Sequence, residues 1–254
     1  MKKMKKVLAL GACAAMLVTA SVMGTLAYLT SQETITNAFT VGKVSFGDET
    51  NDVKALDEAK VNEYGELLDK DGAVYNDPAT QTLAKRVTGD ENTPANTYKL
   101  IPDHTYIKDP TIHINKDSEE CYLFVTVANE MWEIEAVSTK ENTEIPEEER
   151  YSTILEQMDA NGWKVLNEDN YPTVYVYSDN EGVKTVSGED AEAGKTTVDI
   201  PVFGEFKVKK EATQTEFEGL VNTNKKIIIN AYAVQAEGFT DAEDAWKKNF
   251  VTTP

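Results

Sequence analysis

Histidine and cysteine, the side chains most often recruited for metal binding and nucleophilic catalysis, occur twice each in the 254 residues. Cys13 lies in an apolar N-terminal run, which leaves Cys121 alone in the remainder of the chain. A lone cysteine forms no intrachain disulfide, so the core has to hold without covalent cross-links. Positive charge is scarce as well: 25 Lys and Arg stand against 44 Asp and Glu, a formal net charge of −19. Nucleic acid and anionic membrane surfaces would repel such a chain, which argues against both as partners. No GxSxG, P-loop or GxGxxG spacing occurs, so the signatures of serine hydrolases, phosphate cradles and dinucleotide sites are missing. The carboxylates are too numerous to single out a glycosidase pair. A period of roughly 20–50 residues, the mark of a repeat array, is also missing. Together these absences lead to the expectation of a protein that is not an enzyme.

What is present begins with Lys2, Lys3, Lys5 and Lys6, followed by 23 uncharged residues from Val7 to Leu29. About 20 apolar residues can span a bilayer, so an uncleaved anchor is one reading. A secretory signal fits better, because Thr25-Leu26-Ala27 supplies the small residues that a signal peptidase reads. Residues 1–27 are then the signal peptide, cleavage follows Ala27, and Tyr28 is the first mature residue. A lipoprotein reading of Leu10-Gly11-Ala12-Cys13 is weaker, since the apolar run continues past Cys13. Losing the four lysines takes the formal net charge from −19 to −23. Such acidity keeps an exported protein soluble. It would also attract cations, so a divalent cation stays open although no cofactor is expected.

The residues after the leader alternate as a strand does. Ile35, Phe39 and Val41 share one parity, and after Gly42 the apolar parity passes to Val44 and Phe46, a strand with a bulge or bend. In the acidic stretch 48–97, "ELLDKDGAVYN" reads as a hairpin about Asp71-Gly72. Asp69, Asp71 and Asp77 resemble a calcium loop, but the glycine misses the position an EF-hand requires, and a turn is expected. Gly89–Thr97 has loop composition.

From Tyr98 onward the β signal is strongest, in "YKLI", "TIHI" and "CYLFVTV". The last is apolar on both parities, which predicts a strand covered on both faces. Cys121 is then a buried small hydrophobe and not a reactive thiol. "IPEEERYSTILEQMDANGW" predicts a helix opened by Pro146 and its glutamates, with a stripe of Tyr151, Ile154, Leu155 and Met158, closed by Asn161-Gly162. Strands resume in "TVYVYSDNEGVKTV", a hairpin about "DNEG", and in "TTVDIPVFGEFKVKK". A short helix is expected at "QTEFEGLV", a long strand at "KKIIINAYAVQAEGF" and a terminal helix at "DAEDAWKKNF". Strands at irregular spacing with few helices predict an antiparallel β-sandwich with helical insertions. It occupies 28–254 as one domain, with 48–97 and 138–170 as insertions.

His104 and His113 stand nine positions apart with Pro110 between them. The HExxH zinc motif needs two histidines four apart on one helix, which this spacing excludes. A strand-turn-strand arrangement could still bring them together with Asp103 or Asp109, so they are the candidate metal ligands in a chain for which none is expected.

Three stretches resemble one family. "GTLAYLTSQETITNAFTVGKVSF" after a Lys-rich leader, "PDHTYIKDPTIHINKDSEECYLFVTV" in the centre and "IIINAYAVQAEGF" followed by "AW" are similar to secreted proteins of the TasA/camelysin (CalY) family. These accompany the dedicated signal peptidase SipW in Gram-positive bacteria. About half of the chain, mainly 48–97 and 138–170, carries no such likeness. The family's usual Pro-Gly before the central strands is replaced here by Pro102-Asp103. The resemblance implies a jelly-roll-like β-sandwich, exported by the general secretory route and assembled into extracellular fibres of a biofilm matrix. It further implies that residues 28–41 form a strand donated to the next subunit, with Ile35, Phe39 and Val41 inserting, and that partners are other copies of the chain and the signal peptidase during export. After processing no membrane association is expected. The camelysin side has been classed as metallopeptidase, but the residues for that activity are not recognisable. Two other readings remain: a monomeric surface binding or adhesion module, and a metal-dependent peptidase using His104 and His113.

Overall fold

The computed structural model describes residues 30–37, 44–45, 56–68, 74, 98–223 and 226–251. Along them run β1 (Thr30–Asn37), β2 (Leu56–Asp57), β3 (Thr105–Ile107), β4 (Thr111–Asn115), β5 (Cys121–Asn129), α1 (Ile154–Ala160), β6 (Trp163–Asn167) and β7 (Tyr171–Asp179). There follow β8 (Gly182–Val183), β9 (Thr185–Val186), β10 (Thr197–Pro201), β11 (Glu205–Lys207), α2 (Gln214–Thr223), β12 (Lys226–Gln235) and α3 (Ala242–Phe250). The described chain is mainly β, built of antiparallel sheets with three α-helices.

The doubly apolar run at 121–129 becomes the middle of the largest sheet, whose order is β1-β12-β5-β7-β6, with β8 added to β7 and β9 to β5. Cys121, Leu123 and Val125 enter one buried cluster together with Ile227, Ile229, Ala231 and Ala233 of β12. The same cluster takes Leu56, Ile112, Ile114 and Ile200 from the three-stranded sheet β10-β4-β2, and Tyr106 and Phe206 from the pair β11-β3. On the other parity Phe124, Val176 and Val234 form a second cluster with Ala242, Ala245 and Trp246 of α3. The Trp246 ring lies 5.2 Å from Phe124 and 5.1 Å edge-on from Tyr232. Asp241 starts α3 by accepting the Asp244 N–H at 2.8 Å, a cap that fixes where the helix begins. The two-faced burial expected of "CYLFVTV" thus has a specific cause: α3 covers the face that the smaller sheets do not.

One pairing departs from the antiparallel expectation. β1 runs parallel to β12, Thr30 opposite Lys226 through Asn37 opposite Ala233. All other strand pairs among the described residues are antiparallel. The first strand of the described chain therefore lies beside the last.

The helix expected from Pro146 is shorter and starts later. Glu147–Glu149 form one 3-10 turn, Arg150 is extended, and α1 begins only after Thr153. Thr153 and Glu156 make a capping box, each side chain bonding the other's backbone N–H, which terminates the helix on its N-terminal side. Of the expected stripe, Ile154 and Met158 are buried in the helix, Tyr151 is buried ahead of it, and Leu155 is 56 % exposed. At the other end Gly162, with φ +89°, closes the turn as expected.

"YKLI" is not a strand. The Tyr106 hydroxyl donates to Lys99 O and accepts from Ile101 N, both at 2.7 Å, so side-chain bonds replace the ladder. Pro102-Asp103 forms a tight turn, closed by His104 N–H donating to Ile101 O, in which Asp103 takes φ +62°. That is the geometry of a type II turn, with an aspartate where glycine would be unstrained. The bridge between Leu68 and Val74 agrees with a hairpin about Asp71-Gly72. Residues 56–68, inside a stretch expected as an insertion, supply Leu56, Ala59, Val61 and Leu67 to the main core. Ala27, Tyr28, Phe39, Val41, Gly42 and the loop 89–97 lie outside the described residues.

Candidate functional site

Two features combine exposure or charge with defined geometry. The first is the edge of the large sheet. β12 carries β5 on one side and β1 on the other, and β1 is the terminal strand of that sheet. Ile35 stands opposite Ala231 in the register. Beyond β1 the chain is next described at Val44 and Ser45, and Ser45 is tied to the body: its carbonyl accepts Asn115 N–H at 2.9 Å and its N–H donates to Ser118 Oγ at 3.3 Å. Residues 38–43 thus connect the edge strand to an anchored point.

The second feature is a bridged histidine in the three-stranded sheet. His113 sits on β4, the middle strand, with Asp199 opposite it on β10. Its Nδ1 lies 2.8 Å from Asp199 Oδ1, and its Nε2 lies 3.0 Å from Asp57 Oδ1 on β2. One ring therefore spans all three strands. Asp57 is fully buried, and Asp199 is half-exposed, where it also accepts from Thr197 Oγ1 at 2.8 Å and Lys195 Nζ at 3.2 Å. Burial pulls the His113 pKa down, but the hydrogen bonds to Asp199 and Asp57 and their charges outweigh it, so the ring ends above its ordinary 6.5. The hydrogen bond from His113, aided by Thr197 and Lys195, holds Asp199 well below the usual carboxylate range.

Beside it lies a buried ion pair. Glu58, next to Asp57, receives Lys108 Nζ at 2.7 Å and the Tyr98 hydroxyl at 3.2 Å. Asp109 accepts the Ala59 N–H at 2.8 Å. The Glu58–Lys108 ion pair and the bond from Ala59 N–H to Asp109 thus fasten the residues just after β2 to the segment that leads into β4.

His104 is placed elsewhere. Its Nε2 donates to Tyr64 O at 2.7 Å and its ring packs edge-on against Tyr106 at 4.6 Å. The two histidines thus have separate partners, and among the described residues no group of three or more His, Cys, Asp or Glu side chains is disposed to hold a metal ion. Cys121 is buried and its thiol donates to Val186 O at 3.3 Å. Burial, then the charges of Glu120 and Asp190, push its pKa up to about 12, the opposite of an activated thiolate. Trp163 is buried with its Nε1–H on Pro201 O at 2.9 Å, whereas Trp132 is 67 % exposed.

Asp57, Asp199, Glu58 and Lys108 were not legible as a group. "TVDIP" does place a charge within an apolar strand, the one available signal, but which strand it meets is a matter of long-range pairing. Among the described residues no helix is long and apolar enough to cross a membrane. The chain matches no protein-family model, no curated protein and no solved structure.

Proposed function

We propose that this chain is an exported structural subunit, a jelly-roll-like β-sandwich of the TasA/camelysin kind, that builds extracellular fibres of a biofilm matrix by lending its N-terminal strand to the next copy. The observation that carries the reading is the placement of β1: a terminal strand that adds to the edge of β12 away from β5. The same ladder forms equally well with β1 of a second molecule, because main-chain bonds do not distinguish copies. Such a contact is head-to-tail and does not close, so it propagates as a filament. Ile35, opposite Ala231, is the described member of the inserting set, which also includes Phe39 and Val41.

The test is electron microscopy of purified residues 28–254 beside a chain that begins at Gly42. Filaments from the first and none from the second are expected. Filaments from both would refute strand donation, and monomers in both would favour a monomeric binding or adhesion module. That second reading has its own support in Trp132, Val137 and Leu155, large apolar side chains exposed around 131–155.

A further inference from the structure

A neutral imidazole has one N–H and can donate to one carboxylate. His113 has a carboxylate oxygen within hydrogen-bond distance of each ring nitrogen, 2.8 Å to Asp199 and 3.0 Å to Asp57. Both bonds can be donated at once only by the imidazolium. We propose that His113 is a proton-operated clamp: protonated, it holds β2 and β10 to β4, and on losing its proton it lets the three-stranded sheet loosen. The clamp does not depend on how the chain assembles.

The surrounding charges decide where the loss falls. From β2 comes Asp57, followed by Glu58; from the segment before β4 come Lys108, which neutralises Glu58, and Asp109, which is bonded to Ala59 N–H. From β10 comes Asp199, with Lys195 on its other oxygen. Among the described residues, Asp57 and Asp199 are the charged groups that reach the ring. Asp199 keeps Thr197, Lys195 and solvent when the ring becomes neutral. Asp57 is buried and loses its cationic neighbour in a low-dielectric setting, where that loss is largest. Among the described residues β2 pairs with β4 through Leu56 and Asp57 alone, a ladder that offers little compensation.

The sign follows from the raised His113 pKa. The clamp contributes fully below the ordinary value of 6.5 and is lost as pH rises through the folded-state value. Asp199, whose pKa is lowered, contributes above its ordinary carboxylate range, and that share is lost as pH falls through its folded-state value. The sheet is therefore tightest from mildly acidic to near-neutral pH.

The experiment is amide hydrogen exchange on the full chain across pH 5 to 9, corrected for intrinsic rates, beside an NMR titration of its two histidines. Opening of 56–61 and 197–201 should increase by about tenfold per pH unit between 6.5 and the His113 midpoint, the slope for one linked proton. His113→Gln should flatten that slope. Asp199→Asn, a half-exposed and conservative change, should move the His113 midpoint down. A His113 midpoint at or below 6.5, or an unchanged slope in His113→Gln, would overturn the clamp. If His113→Gln does not fold, Asp199→Asn decides alone: an unmoved midpoint overturns the proposal.

Discussion

Lys108 Nζ stands 2.7 Å from Glu58 Oε1 with the two side chains only 4 % and 0 % exposed, an ion pair sealed between β2 and the segment leading into β4. Removing one partner strands the other's charge in the core, so Lys108→Met or Glu58→Leu alone should cost about 3–5 kcal/mol. The double variant should recover most of that loss, because neither charge of the pair is left without the other and the Tyr98 hydroxyl still has Ile107 O, 2.9 Å away. Urea unfolding of the four proteins gives the comparison. A double variant as unstable as the sum of the singles would show that the pair is not coupled.

Gly162 ends α1 with φ +89°, and a Cβ there would run into the Ser178 carbonyl oxygen. Its own carbonyl accepts Ser178 N–H at 2.7 Å, which locks the approach of β6 to β7. Gly162→Ala should lose about 2–4 kcal/mol from backbone strain and overpacking together. The check is a lower urea midpoint at unchanged slope.

Asp103 is the only non-glycine with positive φ among the described residues. Its pair with Lys207, 3.3 Å apart, is half-exposed and contributes little. Asp103→Gly should therefore stabilise by about 0.5–1 kcal/mol, whereas Asp103→Ala, which keeps the strain and loses the ion pair, should not. Thermal unfolding that ranks alanine above glycine would contradict the turn geometry.

Cys121 should react with thiol reagents only as fast as the fold opens. In residues 28–254 it is the one thiol, buried and with its pKa pushed up to about 12. At pH 8 labelling should be slow in buffer and immediate in denaturant. Fast labelling of the folded chain would mean that β5 is not covered as described.

The strand at 121–129, the long strand at 226–235 and the helices at 214–223 and 242–250 were legible because their apolar periodicity is a local property. α1 was legible only in part: the glutamates after Pro146 look like a first turn, but the capping box at Thr153 and Glu156 competes for the start and wins. Tyr98–Ile101 has strand composition, yet Lys99 O and Ile101 N–H both bond the Tyr106 hydroxyl, a partner several residues on. Leu56 to Leu67 sit among so many acidic residues that their core role was hidden. Half of the bridged histidine was visible, as His113 in an apolar strand. The carboxylates that define it, Asp57 and Asp199, were hidden among 44 acidic residues.

By itself the sequence determined that the chain is mainly β, that its fifth strand is covered on both faces, and that Cys121 is a packing residue, since each follows from periods of two or 3.6 residues read over a short window. The tertiary structure alone decided that β1 lies parallel to β12 at the sheet edge, that α3 supplies the second cover, and that one imidazole bridges carboxylates from two other strands. Those relations join residues as far apart as Thr30 and Lys226, and strand order is set by which edges and faces remain to be buried once the local elements have formed.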